Sequence, residues 1–161
     1  MFLPDKPAAY AGVARVLVPG GRFLFTTWDV LATHGFADPL QRALERVLGE
    51  VPPFLTAVPH GYADTTRIAA DVRAGGLDLV SLETVTLTGS VDDPALVATG
   101  FCTGTPLRTQ IEEHGDLAAL TAEVAAAVTD ILGPGPVTAA MRAHVVEVVR
   151  PHEVRPRAAA G

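Results

Sequence analysis

The sequence predicts an α/β fold, in which a small sheet is covered by helices and carries a helical insertion before its last strand. Three observations predict it. The run Arg15-Val16-Leu17-Val18-Pro19-Gly20-Gly21-Arg22-Phe23-Leu24-Phe25 reads as a helix end, a Pro-Gly-Gly turn and a buried strand. From Asp93 to Gly133 the pattern turns helical for about three elements, and Ala143 to Val149 (AHVVEVV) then reads as a closing strand. The first of these orders normally lies deep inside an α/β domain, so its place near Met1 leads us to expect the latter part of a larger fold.

Each element has a local cause. Pro7 suits the first turn of a helix after Asp5, and Tyr10, Val13, Ala14 and Leu17 share one face of it. Pro19, Gly20 and Gly21 end that helix, and Arg22 to Trp28 (RFLFTTW) follows as an aromatic and β-branched strand. Its consecutive Phe23, Leu24 and Phe25 predict burial on both faces, as in a parallel strand. Asp38-Pro39 starts a second helix with Leu40, Ala43, Leu44, Val47 and Leu48 inward, closed by Gly49. Val51-Pro52-Pro53-Phe54 predicts a turn and an extended link, because the residue before proline is pushed out of the helical region. Asp64 caps a third helix carrying Ile68 and Val72 and ended by Gly75-Gly76, before a second strand over Leu77 to Leu87. Within the insertion, helix starts fall at Asp93-Pro94, Thr105-Pro106 and Asp116, and Gly133-Pro134-Gly135-Pro136 is a hard break.

Composition bounds the function classes. A chain of 161 residues supports one domain, which we place over 1–150 with an insertion over about 91–133, leaving 151–161 as a disordered tail. Eighteen acidic against twelve basic residues give a net charge of -6 with Lys and Arg scattered, which argues against a nucleic-acid partner. Cys102 is the single cysteine, so no disulfide framework can form within the chain, and a reducing cytoplasmic setting fits best. No apolar run approaches the roughly 20 residues that span a bilayer, and no membrane partner is expected. The five histidines have no metal-ligand spacing, and no metal is expected.

The ordered set of motifs resembles the C-terminal half of class I S-adenosylmethionine-dependent methyltransferases, most nearly the small-molecule enzymes related to those of ubiquinone and menaquinone biosynthesis. Met1-Phe2-Leu3-Pro4-Asp5-Lys6-Pro7 matches the segment after their fourth strand, and Leu17-Val18-Pro19-Gly20-Gly21-Arg22-Phe23 the turn into their fifth. Tyr62, Ile68, Ala74 and Gly75 match the helix before their sixth strand, and Gly133-Pro134-Gly135-Pro136 leads into an antiparallel seventh. The resemblance covers about residues 1–150 and implies a partial Rossmann-like sheet with the equivalents of strands 5, 6 and 7. Relatives hold the cofactor through a [DE]-x-G-x-G-x-G loop, which this sequence lacks. The resemblance therefore implies that the N-terminal cofactor-binding half is missing, and that S-adenosylmethionine is bound by full-length relatives but not by this chain.

Candidate site residues follow from position. Trp28 and Asp29 end the first strand, where open α/β sheets place their ligand crevice. Trp28 there either lines a substrate pocket or packs on the next helix, and Asp29 either orients a substrate hydroxyl or caps a turn. His34, His60 and Tyr62 fall in loops expected on the same rim, where a histidine can remove the proton that methyl transfer to oxygen or nitrogen releases, or serve only the structure. Cys102 reads as a packing thiol, and Ser81 and Ser90 lack the G-x-S-x-G setting of a hydrolase nucleophile. The insertion either touches substrate or packs its apolar stripes on the domain or a second subunit.

Two functions are expected from this. In the first, the chain is a fragment of a small-molecule methyltransferase, inactive alone, whose partner when completed is a methyl acceptor. In the second it is a non-catalytic half-domain, acting by homo-oligomerisation through the edge of the Arg22 to Trp28 strand or completed by a partner chain.

Overall fold

The computed structural model describes residues 2 to 152; of the tail expected over 151–161, residues 153–161 lie outside them. The described residues form a mixed α/β structure of seven helices and three strands. Their order is α1 (Lys6–Val16), β1 (Arg22–Trp28), a short 3-10 turn (Leu31–Thr33), α2 (Ala37–Leu48), α3 (Phe54–Ala57), α4 (Thr65–Ala74), β2 (Asp78–Val91), α5 (Ala95–Gly104), α6 (Leu107–Glu112), α7 (Leu117–Leu132) and β3 (Val137–Val149).

The strands pair in the order β1-β3-β2, so the last strand in sequence is the central one. Its pairing with β1 is antiparallel: the Gly20 amide donates to the Arg150 carbonyl, and the Asp29 amide to that of Arg142. Pairing with β2 is antiparallel too, with Thr84 opposite His144 and Ser90 opposite Thr138 through their side chains. It follows that β1 and β2 run the same way on either side of β3.

The chain divides into two compact units. One holds Leu3–Thr26, Asp64–Glu83 and the chain from Val145. Here Asp5 caps α1 by accepting from the Ala8 amide at 2.9 Å, and Asp64 caps α4 by accepting from Thr66 and Arg67. The two helices pack on each other, and a Cβ at Gly75 would lie 2.3 Å from the Tyr10 Cβ, an approach that only glycine permits. Tyr10, Ile68, Val72, Leu77, Val146 and Val148 are buried, and the Tyr10 ring meets Phe25 at 5.3 Å.

In this unit one expectation fails. β1 is not buried on both faces: Phe23 and Phe25 are half-buried on one side, while Leu24 between them is 61% exposed. Side chains alternate across a strand, so a consecutive apolar run fills both faces only when each is covered. Among the described residues β1 pairs only with β3.

The other unit holds Phe2, Thr27–Ala63 and Thr84–His144. Its core gathers Leu40 and Leu44 of α2, Ala98 and Cys102 of α5, and Val124 and Val128 of α7, all fully buried. Buried positions three and four apart on α2 and α7 make single stripes, which is why α7 packs against both α2 and α5. The insertion thus serves as the body of this unit. Where a turn and an extended link were expected at Val51 to Phe54, the chain turns into α3, with Pro53 as its N-cap at a φ of -74° that leads directly into the helix. The Phe54 amide then donates to the Gln110 side chain at 3.1 Å.

Candidate functional site

The site lies wholly within this second unit and begins where β1 ends. Trp28 is the last residue of the strand, and the chain then turns through Asp29 and Val30 into the 3-10 turn, which delivers His34 just before α2. The His34 Nδ1 accepts from the Ala37 amide at 3.1 Å and from the Phe36 amide at 3.4 Å, so it serves as a cap for the first turn of α2. Those bonds fix Nδ1 as an acceptor, and in the neutral ring the hydrogen sits on Nε2. His60 follows α3 and donates from Nδ1 to the Asp29 carbonyl at 2.7 Å, since a carbonyl can only accept. Its neutral ring therefore carries the lone pair on Nε2, the opposite tautomer to His34.

Three rings meet at this point. Trp28 stands edge-on to His34 at 4.9 Å and tilted to His60 at 6.3 Å, and the two imidazoles are 5.5 Å apart and nearly perpendicular. Burial is the main reason that His34 titrates below the usual histidine range, with the neighbouring His60 adding to it. Burial lowers His60 as well, against the opposing pull of the Asp29 carbonyl and the Asp29 charge. At neutral pH both rings are uncharged, one presenting a donor and the other an acceptor.

They line a cavity of about 410 Å³ together with Trp28, Phe54, Phe101 and Thr105. A second cavity of about 320 Å³, bounded by Phe36, Val91, Leu96, Val97 and Met141, shares His34, Phe101 and Thr105 with it. The side chains lining the two cavities include no Asp, Glu, Lys or Arg.

The other expected residues take different places. The Asp29 carboxylate is turned away from the rings: it accepts from the Val30 amide at 2.7 Å and lies 3.3 Å from Arg142 and 3.5 Å from the His144 Nε2. Its backbone carbonyl positions His60. Tyr62 is buried, at 3% exposed, and lines neither cavity. His144 donates from Nε2 to the Ala63 carbonyl at 3.0 Å and faces the Thr84 hydroxyl with Nδ1 at 2.9 Å, tying β2, β3 and the loop after His60 together. Arg142, His144, Phe36, Phe101 and Met141 were not among the sequence candidates. A histidine inside the otherwise apolar Ala143 to Val149 strand was the one signal that could have marked His144.

Cys102 is fully buried, and desolvation pushes its thiol up to about 11, so it is protonated at neutral pH and supplies no nucleophile. No cluster of His, Cys, Asp and Glu able to hold a metal ion occurs among the described residues. No helix among them is long and apolar enough to cross a membrane. S-adenosylmethionine carries a sulfonium, an ammonium and a carboxylate, and no Asp, Glu, Lys or Arg side chain lines either cavity to meet them.

No known family profile matches the chain, and no curated protein sequence matches it. Among solved structures, the chain is similar to the YcgJ protein of Bacillus subtilis, with 14% identity and a TM-score of 0.43. The match covers 93% of this chain and 59% of the length of that one.

Proposed function

We propose that this chain is the acceptor-binding part of an S-adenosylmethionine-dependent small-molecule methyltransferase, inactive as these 161 residues, with the cofactor held by polypeptide outside them. The observation that carries the reading is the ring cluster at the C-terminal end of β1, with His60 held by the Asp29 carbonyl so that Nε2 keeps its lone pair. The last strand, β3, runs antiparallel to both neighbours, which supports the reading because the resemblance implies an antiparallel seventh strand. An acceptor hydroxyl must shed its proton as its oxygen is methylated, and a neutral histidine in the correct tautomer takes it. The lack of charged side chains in the cavity linings supports placing the cofactor on polypeptide outside this chain. A calorimetric titration of S-adenosylmethionine into the chain should give no binding. Binding to the chain alone would contradict this placement.

A second reading, a non-catalytic half-domain that works by association, is favoured by one observation. Leu24 on β1 is exposed in the first unit described, as are Val16 and Val18 before the strand. Size-exclusion chromatography separates the two, since this reading requires a dimer or larger species of the chain alone.

A further inference from the structure

The Asp29 carboxylate, turned away from the ring cluster, ends a row of side chains that reaches the surface on β2. We propose that Thr84 is a nucleophile for acyl transfer from small activated esters, with His144 as its general base and with Asp29 and the Ala63 carbonyl positioning that base. The Thr84 hydroxyl lies 2.9 Å from His144 Nδ1. On the other side of the ring, Nε2 lies 3.0 Å from the Ala63 carbonyl and 3.5 Å from Asp29 Oδ1. A carbonyl only accepts, so in the neutral ring Nε2 carries the hydrogen, Nδ1 keeps its lone pair, and the Thr84 hydroxyl is the donor. A hydroxyl, an imidazole and a group that orients the imidazole, each within hydrogen-bond reach of the next, are what a weak nucleophile needs to be activated. All these residues belong to the second unit described.

Exposure is graded along the row. His144 is 3% exposed and held at both nitrogens, while Thr84 is exposed and open to a donor arriving from solvent. Thr84 lines neither cavity beside the ring cluster, so the donors that suit it are small and carry a good leaving group. In the reaction Thr84 Oγ1 bonds to the acyl carbon and its proton moves to His144 Nδ1. The bond from that carbon to the leaving oxygen then breaks, the leaving group departs as its anion, and the imidazolium returns the proton to solvent. The Asp29 charge favours the imidazolium that forms in between. The pairs Thr84 with His144 and Ser90 with Thr138 set a register that puts Arg142 across from Thr86, on the same face as Thr84. A cation held 3.3 Å from Asp29 therefore stands on the face where the acyl oxygen gains negative charge.

The reaction needs no S-adenosylmethionine, so its test is independent of the methyl-transfer reading. The chain is mixed at pH 8 with p-nitrophenyl acetate, the release of p-nitrophenolate is followed, and the quenched protein is digested for mass spectrometry. The wild type is expected to show a burst of p-nitrophenolate and to carry the acetyl group on Thr84 rather than on Lys6, its single lysine, or the N-terminus. Thr84→Val keeps the β-branched shape at an exposed strand position, so it folds while lacking the hydroxyl. It should lose the acetylated peptide and slow the burst by about tenfold or more, whereas Thr84→Ser should retain both. His144→Gln should slow the burst by about tenfold or more as well, the scale of a lost general base. Should that buried variant fail to fold, the two Thr84 variants decide alone. Acetyl found only on Lys6 or the N-terminus, a burst unchanged in Thr84→Val, or one unchanged in a folded His144→Gln would overturn the proposal.

Discussion

His60 donates its Nδ1–H to the backbone carbonyl of Asp29 at 2.7 Å, while the carboxylate of that same Asp29 points to Arg142 and His144. One residue thereby anchors two things: its main chain sets the tautomer of the ring in the cavity, and its side chain ties the end of β1 to β3. The two can be separated by mutation. Asp29→Ala should cost about 1 kcal/mol, because the Val30 amide loses its acceptor, while the exposed Arg142 keeps its contact with water. The carbonyl survives, so His60 keeps its place beside Trp28 and the tryptophan emission of the folded variant should match the wild type. Urea denaturation and the native emission spectrum read the two effects independently.

His34 links the site to the fold, since the nitrogen that caps α2 belongs to a ring that lines both cavities. His34→Ala removes that cap and should cost about 1–2 kcal/mol, in the range of other lost helix caps. Thermal unfolding measures it, and a loss within error would show that the bonds to Ala37 and Phe36 contribute nothing.

The lowered His34 and His60 predict acid sensitivity. In the unfolded chain both rings return to about 6.5. Below that pH the unfolded state binds more protons than the folded one, so the stability is fully present above about pH 6.5 and is lost as pH falls through the lower folded values. His114 has the opposite sign: the Gln110 carbonyl and Glu50 raise it, so its contribution is present below about pH 6.5 and lost above it. It lies at the surface, where solvent screens the pair, and the two buried rings should dominate. Tm should therefore fall between pH 7.5 and pH 5, and His60→Gln should fall less over the same interval. A Tm that rises on acidification would show that His114 wins.

Cys102 should resist thiol reagents. With the thiol held at about 11 and fully buried, 5,5′-dithiobis(2-nitrobenzoate) at pH 8 should react only as fast as the chain unfolds, and immediately in denaturant. Rapid labelling of the folded chain would place the thiol within reach of solvent.

Much of the framework was legible because it is local. Asp5, Asp64 and Asp116 each precede a helix and each accept a first-turn amide, as their positions foretold. The exposed Leu24 was not legible, because the run Phe23-Leu24-Phe25 says nothing of whether a layer covers each face. Two prolines in succession at Pro52-Pro53 concealed α3, which starts directly after the second of them. For the site, Trp28, His34 and His60 could be placed on one rim from loop position, and the structure brings their rings together. Arg142 and His144 reach Asp29 from more than a hundred residues away, through the register of β3 on β1, and spacing carries no trace of that pairing.

The central claim, that His60 takes the proton of an acceptor in a methyl-transfer reaction, is tested most directly by one measurement. The chain is mixed with a separately produced cofactor-binding half of a methyltransferase, and transfer of labelled methyl from S-adenosylmethionine to a small phenol is compared for wild type and His60→Gln. The account predicts transfer by the wild type and a kcat lower by about a hundredfold or more in the variant, with the KM for the cofactor unchanged. No transfer by the wild type, or an unaltered kcat in His60→Gln, would contradict it.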